Sequence, residues 1–87
     1  MATVVIPLLM RDLTEGTARV EAPGRTVRDV IEALDERYPG VRARLCDGDA
    51  LAGTLAVVID GKLSRRGLFQ RVVDESEIRF VPAIEGG

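Results

Sequence analysis

Thr26-Val-Arg-Asp-Val-Ile-Glu-Ala-Leu-Asp-Glu-Arg-Tyr-Pro-Gly40 is the stretch that decides the fold. The Thr26 hydroxyl can accept one of the N–H groups left free at a helix start, and Asp29, three residues on, makes a near relative of the capping box. Val27, Val30, Ile31 and Leu34 recur at the spacing that gathers side chains on one helical face, so this face must be covered. Arg28, Glu32, Asp35 and Glu36 fall on the other side and are expected in water. Pro39 disfavours helical geometry at Tyr38, and Gly40 accepts the turn that ends the helix. Val41 to Leu45 offers one further helical turn.

The segments around the helix read as strands. Thr3 to Leu9 is rich in β-branched residues, with Pro7 confining regular pairing to its first part or forcing a bulge. Arg11 to Gly16 is turn-like, and Thr17 to Ala22 alternates and returns as the second arm of a hairpin that Pro23-Gly24 closes. Cys46 to Gly53 is expected to be a loop: Asp47 and Asp49 flank a glycine, but the further oxygen ligands of a calcium loop are missing. Leu55 to Ile59 is the next strand, and Asp60-Gly61 is a tight-turn dipeptide leading into Lys62-Leu63-Ser64. Leu68, Phe69, Val72 and Val73 are expected to add apolar contacts through an irregular segment. Asp74 to Ser76 turns the chain into a last strand, Glu77 to Val81, with Ile78 and Phe80 inward and Arg79 and Val81 outward. A hairpin and later strands around one covering helix give a two-layer α+β domain.

Composition narrows the chemistry. The chain has 87 residues, enough for one small domain with a tightly patterned core. It has no histidine, which removes the usual imidazole base of serine and cysteine nucleophiles and the commonest ligand of catalytic zinc. Its single cysteine, Cys46, excludes an internal disulfide framework and any Cys-x-x-Cys metal or redox pair. The 12 basic and 14 acidic residues are interspersed, which argues against a nucleic-acid footprint. Arg65-Arg66 is the only adjacent basic pair, and its first reading is a solvated loop. No apolar run approaches the ~20 residues of a membrane span, and the start lacks the pattern of a signal peptide, so the expected place is the cytoplasm. No metal or permanently bound cofactor is expected.

The chain closes on Gly86-Gly87. Two residues without Cβ can pass fully extended through a channel too narrow for side chains and present an α-carboxylate at its far end. Terminal residues also often fray in solvent, and the pair alone does not choose between these readings.

Taken together, Leu9-Met-Arg-Asp-Leu13 with Gly16, Thr26-Val27, Val58-Ile-Asp-Gly61, and Asp74-Glu-Ser-Glu-Ile78 leading to Phe80-Val-Pro-Ala-Ile-Glu-Gly-Gly87 resemble the β-grasp, ubiquitin-like sulfur carriers of the ThiS/MoaD family. The resemblance spans essentially the whole chain. It implies a mixed sheet of four to five strands packed on one main helix, with residues 1–82 forming the domain and residues 83–87 a flexible tail. Glu75 and Ser76 depart from the family's usual Asp-Gly-Asp-Glu-Val turn, while the tail is untouched.

The resemblance further implies a protein that serves as a reagent and not a catalyst. An E1-like enzyme would use ATP to adenylate the Gly87 carboxylate, and a sulfur donor would convert the acyl-adenylate to a thiocarboxylate for delivery to a synthase. An ionised carboxylate can attack a phosphoryl group, yet as an acyl donor it is inert until given a better leaving group. Gly86 and Gly87 carry the chemistry in this reading. Ala83, Ile84 and Glu85 set the reach of the tail, and Val81, Arg79 and Arg11 are candidate partner contacts beside it; Arg11 reads equally as a solvated turn residue. The Ile6-Pro7 step, the length and the Val81-Pro-Ala ending are most similar to the cysteine-biosynthesis carriers of the CysO type. The small subunit of molybdopterin synthase is the alternative, as is a ubiquitin-like modifier joined to lysines. The free chain is expected to be a monomer.

Overall fold

The helix begins where its cap places it. In the computed structural model, which describes residues 1–83, α1 runs Val27–Arg37, and the Thr26 hydroxyl accepts the Asp29 N–H at 3.2 Å. Asp29 in turn takes the Arg25 N–H at 3.2 Å. Its charge in the first turn, with Arg37 in the last, complements the helix dipole. Gly24 lets the preceding loop press against this start: a Cβ there would lie 2.8 Å from both the Asp29 Cβ and the Val30 nitrogen. Val27, Val30, Ile31 and Leu34 are buried, as their spacing requires.

Asp35 corrects an expectation. It is half-buried and not on the wet side, because its Oδ1 accepts the N–H groups of Gly40 at 3.1 Å and Arg42 at 3.0 Å. A side chain from one helix thereby satisfies free donors at the start of the next, α2 (Val41–Leu45). Val41 and Leu45 bury their side chains beside α1.

The strands are β1 (Ala2–Val5), β2 (Arg19–Ala22), β3 (Cys46–Asp47), β4 (Ala50–Leu51), β5 (Leu55–Ile59), β6 (Lys62–Leu63) and β7 (Glu77–Pro82). Five of them form one mixed sheet in the order β2-β1-β7-β5-β6. The β1–β2 and β5–β7 pairs are antiparallel, and β1 runs parallel to β7 with Val4 opposite Ile78. This sheet, packed on α1, is a β-grasp. Its inner face carries Ala2, Val4, Val20, Ala22, Val57, Ile78 and Phe80, which form one core with the helix residues. Asp60 (φ 49°) and Gly61 (φ 83°) make the left-handed turn between β5 and β6 that their pairing predicts.

Three further expectations change. The first strand stops at Val5, since Pro7 has no N–H for the ladder, and Leu8–Met10 coils into a 3-10 turn that buries Met10 alone. Cys46 to Gly53 is not wholly loop: β3 and β4 pair through Cys46↔Leu51 and Asp47↔Ala50. Leu68 and Val72 are buried, but Phe69 is 73% and Val73 70% exposed. In each of these adjacent pairs the first side chain reaches the core and the second is left facing solvent. β7 reaches Pro82, one residue past expectation, and the Ala83 N–H donates to the Thr54 carbonyl at 2.9 Å.

Leu34 has 0% exposure beneath the sheet. Leu34→Ala removes its contacts and leaves a cavity, so chemical denaturation should show a loss of about 2–5 kcal/mol. A midpoint equal to wild type would take Leu34 out of the core.

Candidate functional site

β7 lies inside the sheet, with β1 registered against its first half, Glu77–Arg79, and β5 against Ile78–Pro82, so the strand is anchored on both sides at its start and by β5 where the described chain ends. Pro82 pairs with Leu55, and the Ala83 bond to Thr54 holds the first residue of the expected tail in place. Ile84, Glu85, Gly86 and Gly87 lie outside the described residues.

Two apolar grooves flank this exit. One, of about 300 Å³, is lined by Pro7, Leu8, Leu9, Leu55, Phe80 and Pro82. The other, of about 340 Å³, is lined by Ala56, Leu63, Ser64, Val81, Pro82 and Ala83. Phe80 and Val81 alternate along β7, so Phe80 opens onto the first groove and Val81 onto the second. Leu8 is 72% and Leu9 87% exposed, yet their turn is held firmly. Arg44 donates to the Leu9 carbonyl at 3.3 Å and pairs with Asp12 at 3.7 Å, and Arg11 Nε donates to the Ile6 carbonyl at 3.2 Å. Arg11 thus closes the turn, with its side chain half-buried.

The outer sheet face carries a row in which Leu63, Val58, Arg79, Val5 and Arg19 stand side by side across four pairings. Glu77 bridges two cations on this face: Arg79 Nε donates to its Oε1 at 2.8 Å and Arg19 Nη2 to its Oε2 at 2.9 Å. The hydrogen bond from Arg79, then that from Arg19, lowers the Glu77 carboxyl below its ordinary value. Glu77 thereby fixes the exposed Arg79 guanidinium over the outer sheet face.

Of the residues singled out in the sequence, Val81 and Ala83 come together at the tail root, Arg79 lies further back on the outer sheet face between Val5 and Val58, and Arg11 supports the neighbouring turn. Leu8, Leu9, Ala56 and Leu63 belong to the same surface and escaped the sequence reading. Pro7 was the available signal for the first two, because a strand that must break there cannot also bury Leu8 and Leu9. Cys46 packs half-buried against the core, and burial raises its thiol pKa despite the nearby Arg42, which disfavours the nucleophilic thiolate. Among the described residues no group of three His, Cys, Asp or Glu side chains could hold a metal ion, and no helix is long and apolar enough to cross a membrane.

Comparison with known proteins gives consistent matches. The model of the ThiS family matches residues 4–87. The sulfur carrier protein CysO of Mycobacterium tuberculosis is 31% identical over 90 aligned positions, covering 98% of this chain and 97% of its own. Among solved structures, a chain of the Amycolatopsis orientalis BexX/CysO complex superposes with a TM-score of 0.90 at 34% identity, over the full length of both chains. The small archaeal modifier protein 1 of Methanosarcina acetivorans superposes with a TM-score of 0.77 at 27% identity, over 99% of this chain and 95% of its own.

The Glu77 bridge sets a pH dependence. A carboxyl whose folded pKa is lowered contributes its stabilisation above the unfolded pKa and loses it as pH falls through the folded value. NMR titration of the Glu77 side chain should give a midpoint below that of a glutamate in an unstructured peptide. Arg79→Ala should raise it, and by more than Arg19→Ala does. A wild-type midpoint equal to the peptide's would dissolve the bridge.

Proposed function

This chain belongs to the ThiS family, and from that premise we propose that it is a sulfur carrier whose Gly87 carboxylate is activated and converted to a thiocarboxylate by partner enzymes. An E1-like enzyme joins the carboxylate to AMP from ATP and releases pyrophosphate. A sulfur donor then displaces AMP, and the thiocarboxylate gives up its sulfur at a biosynthetic synthase. The chain is the co-substrate in each step. ATP is used by the activating enzyme, and the cytoplasm is where this chemistry would run.

The observation that carries the proposal is the mounting of the tail. A strand anchored inside the sheet, with an apolar groove on either side of the point where Ala83 follows it, lets a partner grip the domain while it takes up the terminal glycines. The likeness to a chain seen in complex with BexX supports docking of this kind. Thiocarboxylate is a softer nucleophile than carboxylate, so once made it can deliver sulfur without any group from the domain itself. That suits a chain with no histidine base. The likeness to a small archaeal modifier protein favours a second reading, in which the activated glycine is passed to lysines of other proteins. The two share the first step and part at the second, where sulfur or a lysine amine takes the acyl group.

Deleting Gly87 should leave circular dichroism and thermal midpoint unchanged while abolishing ATP-dependent adenylation by the E1-like enzyme of the same organism. The carboxylate would then sit up to ~3.6 Å short of its position, and a ~1 Å misplacement already costs ~10²-fold. A truncated chain activated as well as wild type would overturn the proposal. Leu8→Ala with Leu9→Ala should leave stability within about 0.5 kcal/mol, because both side chains are exposed. The same pair should raise the KM for adenylation about tenfold or more, equivalent to at least ~1.4 kcal/mol of lost docking. An unchanged KM would confine the partner contact to the other groove.

A further inference from the structure

Among the described residues, the cations without a carboxylate or carbonyl partner are concentrated in one segment of the chain and the residue packed against its end. Of the 12 basic residues, Arg19, Arg28, Arg42, Arg44 and Arg79 pair with carboxylates, and the side chains of Arg11 and Arg37 donate to backbone carbonyls. Among the described residues, Arg25, Lys62, Arg65, Arg66 and Arg71 have no such partner, and all five are exposed. Four of them fall within Lys62-Leu-Ser-Arg-Arg-Gly-Leu-Phe-Gln-Arg71, which contains no acidic residue. Arg25 joins their far end, sharing a shallow groove with Arg71 and accepting the Val72 N–H on its carbonyl at 2.9 Å.

This segment is built, not slack. Leu68 and Val72 pin it to the core. Ser64 Oγ donates to Gln70 Oε1 at 2.7 Å and accepts the Arg66 N–H at 3.1 Å, while Gln70 Nε2 donates to the Arg71 carbonyl at 2.9 Å. Phe69 is 73% exposed between Arg66 and Arg71 in the chain, and aromatic residues and Arg are both enriched at protein interfaces. The near end is continuous with the tail root, since Leu63 and Ser64 line the groove that Val81 and Ala83 share.

We infer that Arg25 and Lys62–Arg71 form an electrostatic docking strip for an acidic surface on the activating enzyme, beside the channel that takes the tail. The inference rests on the sulfur-carrier reading. A protein patch fits better than a nucleic acid, because the remaining seven basic residues stand against fourteen acidic ones and would repel an extended polyanion. Such a strip acts on encounter: it speeds association and sets orientation, and salt screens it.

The test measures adenylation of the full chain by the E1-like adenylating enzyme of the same organism, at low and high salt. R65E/R66E should raise KM about tenfold or more at low salt, leave kcat unchanged and flatten the salt dependence. K62E/R71E, made separately, guards against a folding defect in the first pair, with thermal midpoints checked for both. R28E/R37E changes net charge equally on the exposed side of α1 and should shift KM far less. Wild-type KM and salt response in both strip variants would overturn the strip and leave the carrier reading standing, since wild type would still be activated. An equal loss in R28E/R37E would reduce the effect to net charge and overturn it too. A wild-type chain that is never adenylated would overturn the carrier reading and remove the partner for which the strip is proposed.

Discussion

The parallel pairing of β1 with β7 is the constraint on which the rest depends. It sets Val4 opposite Ile78, both fully buried, and burying each side chain contributes roughly 1.5–3 kcal/mol relative to exposure. It also makes β7 an interior strand. An edge strand can peel away one ladder at a time; β7 cannot leave without breaking pairs to β1 and β5 together. The point at which Ala83 follows the strand is therefore fixed by the sheet. Charge reinforces this joint, with the Met1 ammonium meeting Asp74 at 3.0 Å just before β7 begins and Asp60 Oδ1 taking the Glu77 N–H at 2.8 Å.

Chemistry at a chain terminus asks little of the domain beyond position and grip. On the proposed reading the grooves supply the grip, with Leu8, Leu9 and Leu63 exposed at their rims. Arg79, steadied by Glu77, adds a polar contact point on the outer sheet face. No side chain of the domain has to move a proton or hold a phosphate. On the proposed reading the reactive group is the backbone's own carboxylate and activation comes from outside, which suits a chain without histidine.

The local features were legible in the sequence, and the non-local ones were not. Thr26, Asp29 and the spacing of Val27, Val30, Ile31 and Leu34 act within a few residues, and so did Asp60-Gly61; each formed as read. Asp35 was misplaced because its partners, Gly40 and Arg42, become visible only once the chain has turned after α1. Phe69 and Val73 looked like core from hydrophobicity alone, but the backbone there admits one inward side chain from each adjacent pair, and Leu68 and Val72 take those places. Leu8 and Leu9 were read within the first strand segment, and the break expected at Pro7 leaves both exposed in the turn that follows. The parallel register of β1 on β7 joins the two ends of the chain, and no pattern along the sequence encodes it directly. The family resemblance implied a mixed sheet without giving this register, and it also supplied the role given to Gly87. The grooves beside the tail need three separate strands and a turn to meet, so only Val81 and Ala83 could be picked out beforehand.

Intact-mass analysis of the protein isolated from its own host tests the central claim most directly. A portion of the chain should carry one sulfur in place of one terminal oxygen, and fragmentation should place it on Gly87. Protein that bears only the carboxylate while the activating enzyme and a sulfur source are present, or that is recovered solely as an amide with lysines of other proteins, would contradict the sulfur-carrier account.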